Sequence, residues 1–69
     1  MQTKVFTVPG ISCEHCRRAI TESVRRLSGI ASVEVDLDAK KVAVTFDPSS
    51  TEADRIRAAI EDAGYDVVS

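Results

Sequence analysis

Apolar positions in this chain recur with a period that switches between two residues and about 3.6, and each switch marks the boundary of an element. Lys4 to Val8 is a β-prone run in which Phe6 and Val8 share a face, and Pro9-Gly10 ends it. From about Glu14 to Leu27, Cys16, Ala19, Ile20, Ser23, Val24 and Leu27 recur at helical spacing. Arg17, Arg18, Thr21, Glu22, Arg25 and Arg26 fall on the other side, and Ser28-Gly29 stops the helix. Ala31 to Leu37 alternates strictly, with Val33, Val35 and Leu37 facing one way. After the Asp38-Ala39-Lys40 turn a second alternating run puts Val42, Val44 and Phe46 inward, so the two runs make a hairpin.

Asp47-Pro48 breaks that strand, and either Ser49 with Glu52 or Thr51 with Asp54 can cap the next helix. Ile56, Ala59, Ile60 and Ala63 form its apolar stripe, Gly64 terminates it, and a short strand is expected around Tyr65 to Val68. The order βαββαβ, with one apolar face per strand, predicts an α+β ferredoxin-like sandwich: a four-stranded antiparallel sheet with two helices on one face. Residues 1–69 are expected to form a single domain, and a chain this short buries only ~60% of the surface it exposes when unfolded.

Charge sharpens this picture. Residues 1–30 carry five cations against two acids, whereas residues 31–69 carry four against nine, so a basic half joins an acidic one. The basic half favours an acidic docking partner over nucleic acid, whose binders are more often basic overall and rich in stacking aromatics. Only Phe6, Phe46 and Tyr65 are aromatic here. No apolar run approaches the ~20 residues of a membrane span, nor does Met1 to Phe6 resemble a secretory signal, so a cytoplasmic protein without membrane insertion is expected.

The chemistry is concentrated in Pro9-Gly10-Ile11-Ser12-Cys13-Glu14-His15-Cys16, which holds both cysteines and the only histidine. Thiols two residues apart, the first in a loop and the second on a first helical turn, can reach one metal ion or each other. Helix-terminal placement lowers a thiol's pKa from about 8.5, so a site rich in thiolate is expected. Thiolates suit soft Cu(I), and two ligands with open coordination suit it better than structural zinc, which almost always takes four. No serine–histidine–acid grouping, phosphate-binding glycine loop or carboxylate pair is present, so no enzyme is expected.

Together, Gly10-Ile11-Ser12-Cys13-Glu14-His15-Cys16, the element order and the closing Gly64-Tyr65 resemble the heavy-metal-associated domain family over nearly the whole chain. Within it the chain looks most like the free-standing bacterial copper chaperones. The resemblance implies a copper-transport and homeostasis role, with one Cu(I) held as cargo by Cys13 and Cys16 and passed to the metal-binding domain of a copper-transporting P-type ATPase. It also implies a monomer without metal, a metal-bridged dimer as a possible loaded form, and Tyr65 near the metal. Ile11 departs from the methionine common in the family, a side chain that packs beneath the loop and is not a ligand.

His15 has two readings, a third ligand that would favour zinc or another soft metal such as Hg or Cd, or a solvent-facing residue that modulates affinity. Ser12 and Tyr65 are accessory candidates near the metal. Arg17, Arg18, Arg25 and Arg26 are either a docking face or a solvated one. A thiol–disulfide oxidoreductase is the distant alternative, disfavoured because the chain is too short for a thioredoxin-type fold.

Overall fold

The alternating runs pair as their patterns demand. The computed structural model describes residues 1–68: strand β1 (Gln2–Thr7), helix α1 (Glu14–Arg25), strands β2 (Ile30–Asp36) and β3 (Lys41–Phe46), and helix α2 (Ala53–Asp62). Strand β3 lies between the other two and is antiparallel to both. Val42 sits opposite Val35 and Phe6, and Val44 opposite Val33, so the apolar faces of all three strands point the same way.

Both helices cover that face. Cys16, Ile20 and Val24 of α1 and Ile56, Ala59 and Ile60 of α2 join Phe6, Val42, Val44 and Phe46 in one buried cluster. Val8 and Ile11, fully buried, extend the cluster beneath the loop that leads into α1. The helices also touch directly, where the Ser23 hydroxyl donates to the Ala59 carbonyl at 2.7 Å.

Gly29 is required where α1 turns into β2. It adopts φ 77°, and a Cβ there would lie 2.6 Å from that of Ser50. Its carbonyl accepts the Asp47 N–H at 2.8 Å, which ties the exit of α1 to the exit of β3.

The sequence pattern and the structure part at Tyr65 to Val68. Three strands, not four, form the sheet among the described residues. The alternation survives, with Tyr65 half-buried, Val67 buried, and Asp66 and Val68 exposed. Yet a single bond, Val68 N–H to the Thr7 carbonyl at 2.9 Å, joins the segment to the free edge of β1. The cause lies at the end of α2, where Gly64 donates to the Glu61 carbonyl and Tyr65 to that of Ile60, the pattern of a Schellman motif with Gly64 at φ 98°. Tyr65 therefore still belongs to the helix cap, and too few residues follow among those described to build a ladder.

Neither expected capping box forms on α2. Glu52 is the N-cap, in extended conformation and with no side-chain cap bond. Asp47 accepts both the backbone N–H and the hydroxyl of Ser49, at 3.0 and 2.7 Å, and Thr51 is buried, so both candidate hydroxyls are engaged elsewhere or turned inward.

Candidate metal site

The cysteines take their positions from the way β1 becomes α1. Ile11 donates to the Val8 carbonyl at 3.3 Å, closing a turn over Pro9-Gly10, and its buried side chain anchors the loop to the core. Cys13 then stands as the N-cap of α1, with extended backbone, and Cys16 is the third helical residue. Cys13 is exposed and Cys16 buried, and their sulfurs are 3.4 Å apart. Two metal–sulfur bonds of about 2.3 Å can span at most ~4.6 Å, so one small ion can bridge this pair with little rearrangement.

The electrostatics favour the anion at Cys16, whose pKa is lowered from 9.0 to about 7. The largest cause is a hydrogen bond from the Tyr65 hydroxyl, followed by the Ser12 N–H and the Cys13 thiol, with a smaller contribution from the Cys13 N–H, against burial acting the other way. Because it donates to that sulfur, Tyr65 is itself raised above the ordinary tyrosine value. A helix N-terminus leaves N–H groups without intrahelical partners, and here a third-residue sulfur reaches back to the N-cap N–H. The glutamate of a capping box makes the same contact. Cys16 thus satisfies the helix end while the helix end stabilises its thiolate.

Tyr65, Ser12, Cys13 and Cys16 therefore converge, with Ser12 acting through its backbone. His15 is exposed, and no group of three histidine, cysteine or carboxylate side chains is gathered for a metal among the described residues. The four candidate docking arginines, Arg17, Arg18, Arg25 and Arg26, are exposed. Arg17 is paired with Glu14 one turn back, whereas no carboxylate among the described residues pairs with Arg18, Arg25 or Arg26. Arg25 and Arg26 lie about 12 Å further along α1 than Arg17 and Arg18.

One participant is invisible in the sequence. Lys40 reaches across from the β2–β3 turn, and its Nζ donates to the Ile11 carbonyl at 2.6 Å. In the sequence Lys40-Lys41 is an ordinary pair of turn lysines, and no spacing ties it to a loop 29 residues earlier.

Comparison with known proteins bears on this arrangement. The model of the heavy-metal-associated domain matches residues 5–66. The chain belongs to the heavy-metal-associated domain family. This heavy-metal-associated domain is 46% identical to the copper chaperone CopZ of Bacillus subtilis (strain 168) over 67 residues, 97% of each chain. The solved CopZ metallochaperone superimposes with a TM-score of 0.94 at 36% identity, covering 97% of this chain and 100% of that one. The water-soluble region of the P-type ATPase CopA from Bacillus subtilis gives 0.90 at 31% identity, with 97% of this chain matching 44% of that one. No helix among the described residues is long and apolar enough to cross a membrane.

Proposed function

We propose that this heavy-metal-associated domain is a cytoplasmic Cu(I) chaperone that holds one ion between Cys13 and Cys16 and yields it to the metal-binding domain of a copper-exporting P-type ATPase. The carrying observation is the pair of sulfurs 3.4 Å apart, one exposed and one buried as a stabilised thiolate. Two thiolates satisfy soft Cu(I) and leave its coordination open, whereas zinc would call for further ligands that the described residues do not gather. The relatives named as copper chaperones, and the structural likeness to part of a P-type ATPase, support the cargo and the partner.

Transfer follows from the asymmetry of the pair. A partner thiolate reaches the metal from the side of exposed Cys13 and displaces that sulfur, which takes up a proton. A second partner thiolate then displaces Cys16, the better-anchored ligand, and no electron changes hands. His15 stays in solvent and tunes affinity, while Arg18, with Arg25 and Arg26 behind it, forms a docking strip for an acidic partner surface. Without metal the chain is a monomer, and the exposed Cys13 is the point through which metal bridges two copies.

The test is titration of the reduced protein with Cu(I) and with Zn(II) against competing chelators. One equivalent of Cu(I) should be retained under competition that strips Zn(II), and His15→Ala should change Cu(I) affinity less than tenfold, about 1.4 kcal/mol. Retention of Zn(II) over Cu(I) would overturn the copper reading.

A further inference from the structure

Lys40 is the sole residue other than glycine at positive φ among those described, at 60°. That left-handed conformation is strained for a side chain with a Cβ, and glycine would relieve it. A lysine there is accounted for by what its side chain and carbonyl reach. The Lys40 carbonyl accepts the Val8 N–H at 2.8 Å, the Val8 carbonyl accepts the Ile11 N–H at 3.3 Å, and the Ile11 carbonyl accepts from Lys40 Nζ at 2.6 Å. These three bonds close a ring in which one residue grips both ends of the segment leading to Cys13. The turn supplying that grip is itself fixed, because Asp36 Oδ1 accepts the N–H groups of Asp38 and Ala39, both at 3.0 Å.

The Ile11 carbonyl and the Ser12 N–H belong to one planar peptide group. Lys40 holds the carbonyl end of that plane, and the N–H end is one of the groups that stabilise the Cys16 thiolate. A cation on the carbonyl oxygen fixes the direction of the N–H and polarises it toward a stronger donor. We infer that Lys40 is a positioning residue for metal retention, acting on the Cys16 sulfur through the Ile11–Ser12 peptide and not by touching the metal. This rests on the copper reading above for its cargo, but the peptide relay can be observed without metal.

The test compares wild type with Lys40→Gly, Lys40→Met and Lys40→Arg. In the metal-free proteins, Lys40→Gly and Lys40→Met should speed hydrogen exchange of the Ser12 amide and shift its proton resonance upfield, while Lys40→Arg stays near wild type. After loading, the Gly and Met variants should release Cu(I) to bicinchoninate roughly three- to tenfold faster, the range expected for one hydrogen bond of ordinary net strength, with Arg within about twofold of wild type. Lys40→Gly relieves the strained backbone, so its thermal midpoint should not fall. Faster release from a variant at least as stable as wild type separates positioning from a general loss of structure. An unchanged Ser12 amide, or Gly and Met variants that release Cu(I) at the wild-type rate, would overturn the inference. A wild type unable to hold Cu(I) would overturn the copper reading and the retention role with it, even where the Ser12 amide responds.

Discussion

The molecule contains two strand-to-helix connections, β1 to α1 and β3 to α2, and they solve the same problem with different chemistry. Each delivers the chain to a helix whose N-cap residue, Cys13 or Glu52, is extended and makes no side-chain cap bond. The first connection is held by buried Ile11 and by Lys40 from a neighbouring turn, and it places a sulfur over the open helix end. The second is held by Asp47, whose carboxyl accepts two bonds from Ser49 and is lowered below its ordinary value by them. It leaves the Thr51 hydroxyl buried without a partner. A helix N-terminus is therefore common to both halves, and the acceptor set into it makes only one of them the candidate metal site.

The largest effect should come from removing that acceptor or its neighbour. Cys16→Ser or Cys13→Ser should lower Cu(I) affinity at least a hundredfold, about 2.7 kcal/mol, in a chelator competition assay, with the circular dichroism spectrum unchanged. Wild-type affinity in either variant would erase the distinction between the two connections.

On the other side, Gly29→Ala attacks the packing of α1's exit against the β3–α2 connection. The added Cβ would sit 2.6 Å from that of Ser50 at a φ of 77°, so denaturant unfolding should show a loss of roughly 1–3 kcal/mol. Copper affinity measured well below the midpoint should be unaltered, because Ser50 and Asp47 lie on the connection without sulfur.

Tyr65→Phe sharpens the comparison by pH. Its hydroxyl is the main cause of the fall at Cys16 from 9.0 to about 7, so the variant's thiol should titrate nearer 9.0, as followed by thiolate absorbance. A folded pKa below the unfolded one contributes stability that is present above about 9 and lost as pH falls through about 7. The variant should lose much of that dependence. Copper must displace a proton once the thiol is protonated, so the variant's Cu(I) affinity should begin to weaken at higher pH than the wild type's.

The smallest effect belongs to Thr51. Replacing its unpartnered hydroxyl by a methyl in Thr51→Val should stabilise the fold by about 1 kcal/mol without touching copper binding, as read by thermal unfolding.

What the sequence discloses of this comparison follows the range of the interactions. Val33, Val35, Val42, Val44 and Phe46 alternate because one sheet face is buried, and Ile20, Val24, Ile56 and Ile60 repeat because each helix buries one stripe, so strands and helices are legible locally. The cysteine spacing is local too, and helix geometry brings the sulfurs together. Tyr65 to Val68 misleads because alternation reports burial and not pairing, and the cap on α2 claims the first of those residues. Tyr65 at Cys16 and Lys40 at Ile11 are contacts between distant segments, which no period encodes. Arg17 shares the exposed face of α1 with Arg18, Arg25 and Arg26, and its pairing with Glu14 is legible from their one-turn spacing.

The central claim, metal passed by ligand exchange, is tested most directly by mixing the Cu(I)-loaded protein with the purified metal-binding domain of a copper-exporting P-type ATPase. The copper content of each is then followed after rapid separation. Exchange through Cys13 predicts that copper reaches the acceptor far faster than the same protein releases it to buffer, with the rate rising with acceptor concentration. Transfer no faster than spontaneous release, and independent of acceptor concentration, would contradict it.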